Sequence, residues 1–188
     1  MSRDRYLIRP ARPCDLPALA DVERSAAVTY FAALGSSRGI ADTTPPAMLE
    51  KCHAAGLLWV AADPQDAPVG FLAAQAIDGA LFVKEMSVAR EHQRAGLGRQ
   101  LMRAAEDHAQ ETGYAAVTLT TDRLIPFNGP FYATLGFAEV PVAEASPGLR
   151  RIIAEEIAGG FDPERRIVMI KPLAAMQGSA VPLYRERV

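Results

Sequence analysis

The residues best suited to chemistry lie in one short stretch, Gln93-Arg94-Ala95-Gly96-Leu97-Gly98. Glycines at Gly96 and Gly98 let the backbone curl closely, so that successive N–H groups converge on one concavity. The residues that follow recur with helical period, and a helix starting at such a turn adds the positive end of its dipole. Arg94 and Arg99 flank the turn and supply positive charge for phosphate oxygens at its rim. The constellation suits a ligand that carries a pyrophosphate. Glycines at a strand-to-helix junction also serve close packing alone, and that plainer reading stands beside the first. A nucleoside-triphosphate loop requires lysine and then serine or threonine after the last glycine, where this chain has Arg99-Gln100. A dinucleotide fingerprint requires a third glycine where this chain has Leu101, although Asp122 falls at the distance of a ribose-binding acid. That reading remains an alternative.

A turn of this kind needs a strand before it and a helix after it. Tyr6-Leu7-Ile8-Arg9 reads as a first strand closed by Pro10. Asp15 has the form of an N-cap, with Pro17 in the first turn of a helix running through Glu23 and Arg24 towards Tyr30. Gly35 to Gly39 and the pair Pro45-Pro46 read as a mobile connection, followed by a short helix over Ala47 to Ala55. Leu57–Ala62, Val69–Gln75 and Leu81–Val88 are apolar runs separated by tight polar turns, the pattern of an antiparallel meander. From Gly98 to Glu111, the residues Leu101, Met102, Ala105, His108 and Ala109 share one helical face, and Gly113 ends the helix. Ala115 to Thr121 is rich in β-formers. Strand, turn, helix and strand therefore make a right-handed βαβ unit. A short helix over Gly129 to Leu135, strands at Phe137–Val142 and Arg166–Ile170, and a helix near Leu149–Ile157 complete the chain. The fold class is α/β (α+β), with a mixed, mostly antiparallel sheet and flanking helices. Residues 1–173 read as a single domain and 174–188 as a tail or arm.

Composition limits the function classes. Of 188 residues 49% are hydrophobic and 22% charged, the balance of an ordinary globular domain rather than a disordered one. A net charge of −2 gives no global basic field for nucleic acid or an anionic membrane. No apolar run approaches the roughly eighteen residues of a membrane span, and the N-terminus lacks the apolar core of a signal peptide. Cys14 and Cys52, and the histidines His53, His92 and His108, show no metal-ligand spacing, and His108 belongs to the packed face of its helix. The expectation is a reduced, cytoplasmic protein, monomer or homodimer, with no metal, no nucleic acid and no membrane partner.

Three segments in register resemble the GCN5-related N-acetyltransferases, the GNAT family. Gln93-Arg94-Ala95-Gly96-Leu97-Gly98 matches that family's Gln/Arg-x-x-Gly-x-Gly/Ala signature, Glu85-Met86-Ser87-Val88 is similar to its fourth strand, and Phe131-Tyr132-Ala133-Thr134-Leu135-Gly136-Phe137 is similar to its FYxxxGF element. The resemblance spans Tyr6 to Leu173. It implies a protein that uses acetyl-CoA as donor and acetylates a primary amine of a small molecule or peptide. It further implies that the strand Met86-Ser87-Val88 pairs with the pantetheine arm. The stretch Gln93, Arg94, Ala95, Gly96, Leu97, Gly98 and Arg99 would take the pyrophosphate. Tyr132 would protonate the departing thiolate, and Glu85 would act as base, directly or through water. Asn128 lies four residues before Tyr132 rather than the commoner seven, where Ile125 stands; it either reaches the arm or is a plain N-cap. Glu23 is a second acid for the acceptor side. Acceptor choice would lie with Ser25 to Pro46 and the loop after the fifth strand. The insert from Glu144 to Pro163 would cover that side or join a dimer, with Arg150, Arg151, Glu155 and Glu156 as surface charges. A non-catalytic acyl-CoA sensor is the alternative from another class.

Overall fold

The computed structural model describes residues 6–35 and 43–174. These fall into two compact units, one holding residues up to 75 together with 83–105, the other 76–82 together with 106 onward.

The first unit contains β1 (Leu7–Pro10), α1 (Leu16–Ala33), α2 (Pro46–Ala54), β2 (Leu58–Ala62) and most of β3 (Pro68–Ile77) and β4 (Ala80–Val88), and it starts α3 (Leu97–Glu111). β1 pairs antiparallel with β2, and β2 with β3, placing Pro10 opposite Trp59 and Trp59 opposite Leu72. Every residue of β2 is buried, which is why this strand reads as a continuous apolar run and not an alternating one. Leu58 and Val60 of β2 join Phe71 and Ala73 of β3 beneath Leu19 and Val22 of α1 and Leu49 and Cys52 of α2. The two-residue spacing on each strand and the three-residue spacing on each helix put those side chains on facing surfaces.

One expectation here is corrected. Asp15 precedes α1 but makes no side-chain capping bond. Its carboxylate instead accepts from both terminal nitrogens of Arg9, at 2.6 and 3.1 Å, and from the Arg12 N–H at 2.6 Å. Arg9 is only 8% exposed, and a guanidinium that far from water needs a counter-charge more than the helix needs a cap. Burial pushes the Asp15 carboxyl up, but the Arg9 and Arg12 hydrogen bonds outweigh it and hold the group below its ordinary value.

The second unit contains β5 (Ala116–Asp122), α4 (Gly129–Ala133), β6 (Ala138–Val140), α5 (Pro147–Ala158) and β7 (Arg166–Pro172). β7 pairs antiparallel with β5 on one side and β6 on the other. Leu149 and Ile153 of α5 pack with Phe82, Ala145 and Val168. β6 is shorter than the expected Phe137–Val142, because Pro141 has no N–H for a ladder and Val142–Glu144 turn into a 3-10 helix. α5 starts at Pro147, where Ser146 caps it and the Asp78 carboxylate accepts the Gly148 N–H at 2.6 Å. Glu156, expected among the surface charges, is half-buried. It takes two 2.8 Å hydrogen bonds from Arg166 and one of 2.9 Å from Thr120, because it lies three residues after Ile153 on the packed side of α5.

The seven strands are mostly antiparallel, with helices flanking them, so the fold class is the expected one. The stretch read as a mobile connection falls outside the described residues from 36 to 42, and the tail or arm from 175 onward. No helix among the described residues is long and apolar enough to cross a membrane.

Candidate functional site

β4 ends at Val88, a short 3-10 turn spans Arg90–His92, and α3 begins at Leu97. Between them Arg94 has φ +61° and Gly96 φ +81°. Left-handed residues alternating along a turn direct neighbouring N–H groups into one hollow. Arg94, Ala95 and Gly96 are exposed, whereas Leu97 is buried and anchors the helix. Packing alone does not account for Gly96: a Cβ there would meet no atom nearer than 4.0 Å. The glycine is needed for its backbone conformation, and that conformation opens the turn to solvent at the N-terminus of a fifteen-residue helix. Buried Leu97, Leu101, Met102, Ala105 and Ala109 fix that helix along one face. His108 of α3 is half-buried, in line with the packed face it was read on.

α1 holds the turn in place. Thr29 Oγ1 donates to Gln93 Oε1 at 2.9 Å, and Gln93 Nε2 donates to the carbonyl of Val88 at 3.0 Å. Ser25 Oγ accepts the Arg90 N–H at 3.0 Å and donates to Glu91 at 3.3 Å. Tyr6 OH bonds His92 Nδ1 at 2.9 Å, with the two rings edge to face. Gln93 was expected at the pyrophosphate; its side-chain amide ties the end of β4 to α1. Tyr6 was read only as part of a strand, and Ser25 and Thr29 only as part of an acceptor-side stretch, not as supports of this turn. Their one signal is that Ser25 and Thr29 stand four apart and so share a helix face. A cavity of about 330 Å³ lies between α1 and the turn, lined by Val28, Thr29, Ala32, Arg90, Gln93 and Arg94.

On β4, Glu85, Met86 and Val88 are half-buried and Ser87 is buried. Ser87 Oγ donates to Glu85 Oε1 at 2.7 Å, since residues two apart on a strand share a face. β3 closes on this part of β4 at Gly70, where a Cβ would come within 3.2 Å of both the Ser87 carbonyl and Val88 Cγ2. Glu23, read as a second acid, is buried, and its carboxylate accepts the Thr44 N–H and hydroxyl.

Asn128 and Tyr132 belong to the second unit. Tyr132 is 8% exposed, with its ring against the edges of Phe131 and Phe137 at centroid distances of 5.3 and 5.8 Å. Asn128 occupies the N-cap position of α4, but its side chain makes no capping bond; its carbonyl accepts the Tyr132 N–H at 2.9 Å. The capping role is thereby corrected: the backbone of Asn128 starts the helix, and its side chain does not. Gly129 sits close under the backbone, where a Cβ would stand 3.0 Å from the Asp122 carbonyl and 3.1 Å from that of Arg123, so a side chain would have to push this loop outward. Asp122, the acid of the dinucleotide reading, organises this loop. Its carboxylate accepts the Leu124 and Ile125 N–H groups at 2.8 and 3.1 Å and pairs with Arg165 at 2.9 Å. Burial raises its pKa, and Arg165 with the two amides overcomes that and holds the group below the ordinary value. A carboxylate committed in this way is a poor ribose ligand. Among the described residues no cluster of three His, Cys, Asp or Glu side chains is arranged to hold a metal ion.

Comparison with known proteins finds a family likeness over part of the chain. A family profile for the acetyltransferase (GNAT) domain matches residues 54–139. Among solved structures, a GNAT-family acetyltransferase from Staphylococcus aureus Mu50 superposes with a TM-score of 0.69 at 15% identity, covering 90% of this chain and 99% of that one. The PaiA N-acetyltransferase of Thermoplasma acidophilum, solved with coenzyme A, has a TM-score of 0.65 at 16% identity, covering 92% and 100%. The ribosomal-protein-S18-alanine N-acetyltransferase of Escherichia coli has a TM-score of 0.61 at 19% identity, covering 94% and 99%. At these identities the likeness is one of fold.

Proposed function

We infer, from the match of residues 54–139 to the GNAT acetyltransferase profile and the likeness of fold to GNAT acetyltransferases, that this chain is a member of that family and that residues 1–173 act as one domain moving an acetyl group from acetyl-CoA to a primary amine. The acceptor is a small molecule or peptide, and the transfer is direct, within a ternary complex. The observation that carries this reading is the exposed turn in which Arg94 and Gly96 are both left-handed ahead of α3. Its amides and the helix end suit a pyrophosphate.

The backbone of Met86 and Val88 would pair with the amides of the pantetheine arm as an added strand does. Glu85, oriented by Ser87, would take the proton that an alkylammonium must lose before it attacks, directly or through water. Attack on the thioester carbonyl forms the new C–N bond and a tetrahedral oxyanion, which a strand N–H near Met86 would stabilise. Collapse breaks the C–S bond, and Tyr132 gives its proton to the departing thiolate. Neither cysteine suits an acyl carrier: Cys52 is buried, and burial pushes its thiol up, while Cys14 lies ahead of α1, away from the turn in sequence.

Calorimetric titration with coenzyme A, paired with thiol release from acetyl-CoA across a panel of primary amines and amino acids, tests the proposal. Binding with turnover supports it. Binding without turnover on any amine indicates an acyl-CoA sensor, and binding of NAD in place of coenzyme A refutes both.

A further inference from the structure

We propose that the cavity between α1 and the turn is an oxyanion subsite in which Arg90 grips a phosphate or carboxylate beyond the pyrophosphate. This rests on the coenzyme A reading of the neighbouring turn. The cavity measures about 330 Å³ and is lined by Arg90 and Arg94 on one side and by Val28, Thr29 and Ala32 of α1 on the other, with Gln93 between. The polar groups divide into two kinds. Thr29 and Gln93 are bonded to each other, and Gln93 also to Val88, so they form wall. The two guanidiniums are different: among the described residues no carboxylate pairs with either. The acid nearest in sequence, Glu91, takes the Ser25 hydroxyl. The Arg90 backbone is fixed by the Ser25 hydroxyl at 3.0 Å, so its side chain starts from a held position at the cavity rim.

Two exposed guanidiniums with no neutralising carboxylate make a positive rim over a partly apolar floor. Val28 is 44% exposed, and Ala32 adds methyl surface one helical turn on. A ligand that fits has an oxyanion joined to an apolar or flat body. Coenzyme A itself offers one candidate, the 3′-phosphate on its adenosine. An acceptor amine that also carries a carboxylate offers the other.

The test compares wild-type protein, Arg90→Gln and Arg90→Lys. Each is titrated with coenzyme A and with 3′-dephospho-coenzyme A, and each is assayed with acetyl-CoA on amino acids paired with their amides. If the cofactor phosphate fills the cavity, Arg90→Gln weakens coenzyme A roughly tenfold and leaves dephospho-coenzyme A unchanged. If an acceptor carboxylate fills it, both affinities hold and Arg90→Gln abolishes the preference for an amino acid over its amide. Arg90→Lys, which keeps the charge, restores part of either effect. The subsite is overturned if Arg90→Gln changes neither comparison. The wider coenzyme A reading fails separately, if the wild-type protein binds neither form.

Discussion

Tyr132 is held by packing on two sides, its ring against the edges of Phe131 and Phe137 and its surface almost closed to water. Replacing it by phenylalanine keeps that packing and removes only the hydroxyl, which makes Tyr132→Phe a clean probe of proton delivery. Where chemistry limits turnover, we expect kcat to fall about a hundredfold with coenzyme A affinity unchanged; equal turnover by the variant refutes the assignment. The residue types that do chemistry were legible because their spacing is local. Gly96 and Gly98 announce a turn by themselves, and Tyr132 lies in a short motif. Partnerships were not legible. That Gln93 would bond Thr29 and Val88, or that Asp15 would answer Arg9 and not cap a helix, depends on which elements meet in three dimensions.

Elements were read well where periodicity is strong. α3 was expected from Gly98 to Glu111 and runs from Leu97 to Glu111, because its apolar stripe is unbroken. α5 was expected to begin at Leu149, two residues late, since its start depends on Ser146 and on a tertiary partner, the Asp78 carboxylate. That junction gives a second prediction. A Cβ at Gly148 would lie 2.6 Å from Ile77 Cγ2 and 2.7 Å from Asp78 Oδ2. Gly148→Ala must therefore move the Ile77 and Asp78 side chains or the helix start itself, and either shift disturbs the bond from the Gly148 N–H to Asp78. We expect a loss of about 1–3 kcal/mol in denaturant unfolding, against the slight gain that alanine brings at an unstrained helical position. A neutral or stabilised variant would mean that the junction yields without cost.

At the scale of the whole molecule, the described residues of each compact unit include a buried carboxylate matched by an arginine: Asp15 with Arg9 in the first, Asp122 with Arg165 in the second. Both carboxyls are held below their ordinary value. A depressed folded-state pKa contributes stability that is present above the unfolded value, about 3.9, and is lost as pH falls below it. Thermal melts should therefore be flat from pH 7 to about 5 and fall steeply below about 4, with both units losing a charge partner in the same window. Asp122→Asn should melt lower at neutral pH and lose part of the acid dependence. A melting temperature that holds down to pH 3 would contradict the assignment. None of this was visible in composition: a net charge of −2 says nothing of which charges are buried.

Arg94 stands at φ +61°, where a side chain disfavours the backbone by about 1 kcal/mol and glycine does not. The same position supplies a guanidinium to the cavity rim. Thermostability and ligand affinity therefore pull this residue in opposite directions. Arg94→Gly should melt higher than the wild type while binding coenzyme A more weakly, a trade of function for robustness that selection for heat resistance alone would readily make. Paired melting curves and titrations on that one variant read both sides: a melting temperature no higher than the wild type's would show that the turn's conformation is not under strain, and unchanged coenzyme A affinity would show that the guanidinium is not needed.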